Sequence, residues 1–140
     1  DYLKRVEERK KQTAGKSPFV GEAVCQTCHA AQHKIWFGTQ HAIAYEKLEE
    51  VGKAFDPACV KCHTVGFDQP GGFFDMNITG HLMGVQCESC HGAGREHVEA
   101  GGSKPVANAG WPKQKICAQC HIQKHSPGFD FDRYWPKIAH

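Results

Sequence analysis

The apolar positions of this chain fall in short bursts separated by glycine, proline and charged residues, a pattern that predicts short helices joined by extensive loops with little or no sheet. Residues 1 to 18 are dense in charge, with Tyr2, Leu3 and Val6 as one narrow apolar edge. They read as a helical leader or a connector from another domain, which Gly15, Ser17 and Pro18 end, so that a single domain is expected over residues 19 to 140. Within it, Ala30 to Gln40 predicts a short helix. His41 to Phe55 predicts a second, with Ile43, Leu48 and Val51 as its buried face and Gly52 as its stop. The stretch from Asp68 to Gly84, rich in glycine and aromatics, reads as loop, and Cys87 to Gly102 as a helix that stops at Gly101 and Gly102. A loop through Pro105 and the Gly110-Trp111-Pro112 turn leads to an aromatic, proline-broken tail that reads as irregular.

Superimposed on this pattern is a pentapeptide, Cys-x-x-Cys-His, written four times: Cys25 to His29, Cys59 to His63, Cys87 to His91 and Cys117 to His121. Two thiols on one turn can add to the two vinyl groups of a porphyrin, and the adjoining imidazole can then ligate its iron. Structural zinc explains the cysteine pairs Cys25/Cys28, Cys59/Cys62, Cys87/Cys90 and Cys117/Cys120, but not the histidine after each. Disulfides closing such tight loops would be strained. The reading is four covalently attached haem c groups. Porphyrins then become most of the interior of a mainly α, loop-rich multihaem cytochrome c, and the tail is expected to drape over a haem face.

Composition fits such a shell around cofactors: mean hydropathy is -0.53, with 15 glycines and 7 prolines. Side chains sum to +2, yet eight propionates would outweigh that charge, so nucleic acid is excluded as a partner and the basic residues are assigned to propionates and redox partner proteins. No apolar run is long enough to span a membrane. Covalent haem c is attached outside the cytoplasm, which points to a periplasmic or cell-surface location.

Each motif supplies one axial ligand: His29, His63, His91 and His121. Six further histidines, His33, His41, His81, His97, His125 and His140, exceed what four sixth positions need, and Met76 and Met83 are the only alternative thioethers. His33, one helical turn after His29, cannot reach the far face of the same haem and reads as a surface residue or propionate partner. Trp36, Phe37, Phe73, Phe74, Trp111 and Trp135 are flat groups suited to porphyrin faces.

The stretches Trp36-Phe-Gly-Thr-Gln-His41-Ala, Val85 to Gly94 with His97, and Phe129-Asp-Phe-Asp with Tyr134 resemble the cytochrome c-554 family of tetrahaem electron carriers. The resemblance implies His81 as distal ligand opposite His29, His41 opposite His91, and His97 opposite His121. It further implies an open face at the iron on His63, which His140 or, next, His125 would close if it is closed.

The function expected is electron transfer between extracytoplasmic redox partners rather than enzymatic turnover. Two alternatives are an enzyme reducing a small nitrogen oxide or hydroxylamine at an open second haem, and a homo-oligomeric subunit of a conducting filament. Glycine-flanked nucleophile elbows and phosphate loops are absent from the sequence.

Overall fold

The computed structural model describes residues 3–5, 7–8 and 17–140. Leu3, Lys4, Arg5, Glu7 and Glu8 are helical, and the rest of the expected leader before Ser17 lies outside the described residues. Among the described residues, the β pairing is an isolated antiparallel bridge between Thr64 and Met83. Everything else regular is short helix, as the broken apolar pattern requires.

Four helices carry the pentapeptides. Helix α1 (Glu22–Gln26) opens the first, α4 (Pro57–His63) contains the second, α6 (Cys87–His91) is the third, and α8 (Lys113–Cys117) leads into the fourth. Helix α4 starts where physical chemistry favours a start: the Asp56 carboxylate accepts from the Ala58 amide at 2.9 Å, and Pro57 occupies the first turn, where its missing N–H costs nothing. The remaining helices are α2 (Ala30–Phe37), α3 (Ala44–Glu50), α5 (Met76–Thr79), α7 (Arg95–Glu99) and α9 (Phe131–Tyr134).

A small protein core sits beside the second pentapeptide. Phe19, Tyr45, Leu48, Val60, Val65, Phe73 and Leu82 are buried together, and Val65 and Leu82 are fully enclosed. Backbone bonds stitch the core to the chain around it: the Val65 amide donates to Leu82 at 3.0 Å and the Phe73 amide to Val65 at 2.8 Å. The Gly84 amide donates to the His63 carbonyl at 3.0 Å, so the core and the second motif are one unit. Burial of these apolar side chains contributes roughly 1.5–3 kcal/mol each.

Several local expectations are corrected. The 68–84 stretch contains α5 and a 3-10 turn at Gly80–Leu82, because Asp75 caps α5 through the Ile78 amide at 2.8 Å. The helix expected across residues 87–102 is two, α6 and α7, divided at Gly92, whose φ of 80° no helix accepts. In the second predicted helix, a 3-10 turn at Gln40–Ile43 precedes α3, and the buried face is Ala44, Tyr45 and Leu48, while Ile43 and Val51 are exposed. The tail forms α9 and a 3-10 turn at Trp135–Lys137, because the Asp130 carboxylate accepts from the Asp132 and Arg133 amides. Phe73 belongs to the protein core rather than to a cofactor face.

Candidate haem-binding sites

The folding of these short helices brings the pentapeptides together in the order first, third, fourth, second. The Cys25 and Cys87 thiols are close enough to bias each other's titration, raising Cys25 and lowering Cys87, while the Cys25 sulfur lies 3.7 Å from the Gly21 carbonyl oxygen. Burial first, then the neighbouring Cys117 and Cys87, pushes Cys90 up to about 11, so the third motif also adjoins the fourth. Cys120 is pushed up to about 12 by burial and then by Cys62, whose carbonyl lies 3.9 Å from the Cys120 sulfur. The motifs thus form a chain of neighbours with the first at one end and the second at the other.

Three motif histidines face a second imidazole. The ring of His29 stands opposite His97 with centroids 6.3 Å apart and planes within 18°. His121 stands opposite His41 at 6.1 Å, and His91 opposite His140 at 6.0 Å. A metal held between two imidazoles needs about 2 Å to each nitrogen and about 1.2 Å more to each ring centre, or about 6.4 Å between centres. Rings in van der Waals stacking would sit closer, as Phe129 does against His121 at 4.1 Å.

The second nitrogen is already committed in three of these six rings and in His63. Nδ1 of His97 bonds the Lys104 carbonyl at 2.7 Å, and Nδ1 of His140 bonds the Ile138 carbonyl at 2.8 Å. His121 uses Nδ1 against the Ser126 hydroxyl at 2.9 Å, and His63 uses it against the Ala44 carbonyl at 2.7 Å. Each such bond orients its ring and leaves Nε2 for a metal. Burial, ahead of neighbouring histidines, lowers the pKa of His41 and His91, and burial alone lowers that of His121, which favours the neutral ring that ligation uses.

These pairings differ from those the resemblance implied. His97 rather than His81 faces His29, His140 rather than His41 faces His91, and His41 rather than His97 faces His121. The reason lies in the chain path: Gly92 turns α7 back toward the first motif, and the tail returns to the third. His81 is exposed, and its carbonyl and ring lie against Gly21. Among the described residues no imidazole ring is recorded opposite His63, and His125 is exposed. His33 is buried rather than at the surface, bonded through Nε2 to the Glu22 carboxylate and packed between Trp36 and Phe37.

Space accompanies the pairs. A cavity of about 340 Å³ is lined by Cys25, His29, Cys87, Cys90, His91, His97 and His140, and joins the first and third motifs. Another, of about 530 Å³, is lined by His41, Cys117, His121, Phe129, Tyr134 and Trp135. Paired imidazoles at metal-bridging separation, beside thiols and opening on flat apolar walls, fit a porphyrin iron. Residues that sequence reasoning missed include Ser126, Gln86 and Glu88, which carry no motif signal of their own.

A mainly α, loop-rich chain with four Cys-x-x-Cys-His motifs, three of whose histidines face a second imidazole, defines a tetrahaem c-type cytochrome, whose cofactors are four covalently attached haem c groups. The family described as cytochrome c554 and c-prime matches residues 24–92. Cytochrome c-554 of Nitrosomonas europaea is 34% identical over a 140-residue alignment that covers 78% of this chain and 60% of that one. The solved reduced state of cytochrome c554 from Nitrosomonas europaea matches with a TM-score of 0.64 at 26% identity, over 89% of this chain and 84% of that chain. The chain belongs to the cytochrome c-554 family. It spans 60% of the length of the full-length relative.

Proposed function

We propose that this chain carries electrons between redox partner proteins outside the cytoplasm, in a periplasm or at a cell surface, with residues 19–140 as its tetrahaem domain and residues 1–18 as a leader or connector. In this reading Cys25, Cys28, Cys59, Cys62, Cys87, Cys90, Cys117 and Cys120 hold the porphyrins as thioethers. His29 with His97, His91 with His140, and His121 with His41 bind three irons from both sides, and His63 binds the fourth from one side. Bound in this way, haem supplies a reversible one-electron couple, and two imidazoles set a low potential.

The observation that carries the reading is the three imidazole pairs whose ring centres lie 6.0–6.3 Å apart. The protein's own work is to orient those rings through carbonyl and hydroxyl acceptors, to exclude water with Trp36, Phe129 and Trp135, and to hold neighbouring sites in contact. Electron paramagnetic resonance of the ferric protein tests it. Three low-spin haems and one high-spin haem per chain are expected; four high-spin signals would refute the ligand assignment.

That no imidazole among the described residues stands opposite His63 favours a second reading, in which an open face there binds a small nitrogen oxide or hydroxylamine. Adding nitric oxide to the protein kept reduced by an excess of an artificial electron donor distinguishes the two. Binding without turnover of nitric oxide leaves an electron carrier with an open site, and steady consumption makes it an enzyme.

A further inference from the structure

We propose that Glu88 is a positioning residue that clasps the first and third haem sites together and, by its buried charge, lowers the reduction potentials there. The inference rests on the site assignment proposed above. Glu88 lies between Cys87 and Cys90, is 5% exposed, and lines the cavity shared by those two sites. Its carboxylate accepts from the Val20 amide at 3.0 and 3.1 Å, the Gly21 amide at 2.8 Å and the Gly94 amide at 2.9 Å. Val20 and Gly21 lead into α1, which carries Cys25, and Gly94 starts α7, which carries His97. One side chain thus ties the third motif to both protein ends of the first site.

Gln86 makes a parallel tie. Its side-chain oxygen accepts from the Glu22 amide at 2.9 Å, while its amide group donates to the His81 and Met83 carbonyls, each at 2.8 Å. The threading admits little else at Gly21, where φ is 89° and a Cβ would lie 3.2 Å from the His81 carbonyl oxygen. Arg95 reinforces the same segment, its guanidinium donating to the Ser17 carbonyl and its amide to the Pro18 carbonyl at 3.1 Å.

A carboxylate whose oxygens only accept is ionised, and burying it is tolerable because three amides replace its water. Amide dipoles solvate the charge but do not cancel it. Among the described residues, the recorded hydrogen-bond partners of Glu88 are backbone amides, so its field remains at the cavity, where it is felt at Cys25. Oxidation of one haem removes one electron and adds one positive charge to the porphyrin iron. A fixed anion nearby favours that product and lowers the potential.

The test is potentiometric titration of the tetrahaem protein, monitored by optical and electron paramagnetic resonance spectra, with a haem count of four per chain verified by pyridine haemochrome. A wild-type count below four refutes the site assignment and leaves Glu88 out of the question. Glu88→Gln keeps an acceptor oxygen and removes the charge, so two of the four waves should move upward while the other two stay. All four unmoved, or all four moved together, overturns the proposal. If Glu88→Gln does not accumulate with four haems, Glu88→Asp decides. Unchanged potentials with altered spin coupling between two haems support the proposal, and any other pattern overturns it.

Discussion

An imidazole serves as an axial ligand only when its ring is held, and the histidines proposed as axial ligands here are held unequally. His97 is anchored to the Lys104 carbonyl seven residues away, whereas His140 is exposed and its Nδ1 reaches only the Ile138 carbonyl of the same tail. Replacing His140 should therefore open one iron with little damage to the fold. The reduced wild-type protein is expected to bind one carbon monoxide per chain, at the His63 site, and His140→Ala to bind two; an unchanged stoichiometry on optical titration would remove His140 from the ligand set. At the first site, His97→Met exchanges an imidazole for a thioether, which favours the reduced state. One wave of the redox titration should rise, and the low-spin signal should persist.

The elements are short because glycine and capping residues stop them, and the stability of the core depends on those stops. Gly72 packs so closely on Gly66 that a Cβ would lie 1.8 Å from the Gly66 carbonyl oxygen. Gly72→Ala must displace backbone and break the adjacent Phe73-to-Val65 bond, a loss of about 3 kcal/mol or more by chemical denaturation. Asp75→Ala removes only the cap of α5 and should cost about 1 kcal/mol in the same assay. The contrast also explains what the pattern of residues disclosed at this scale. The short helix expected from Ala30 was legible, and it ends at Phe37 with Gly38 behind it. Asp75 was not, because its cap sits inside a glycine- and aromatic-rich stretch, and neither was the break at Gly92, where a φ of 80° and the nearness of Ala107 and Asn108 to any Cβ both call for glycine.

At the scale of the whole molecule, the four haem attachment points were legible because their chemistry is local, five residues at a time. The imidazole that each motif histidine faces was not. His29 meets His97, and His91 meets His140, through chain reversals that no spacing encodes, so identical counts of histidine permit several pairings. What composition does determine is charge. Side chains sum to +2 with a polypeptide pI near 8.2, and four ferric haems with eight propionates change this to about -2, falling to about -6 on full reduction. Each added electron therefore meets a more negative molecule, which spreads the four potentials even where the ligands are alike. The oxidised holoprotein should focus below neutrality, well under the polypeptide value of 8.2, and the dithionite-reduced form lower still. A holoprotein focusing near 8 would mean that the propionates are neutralised or that fewer than four haems are bound, and a haem count on the same band would separate those causes.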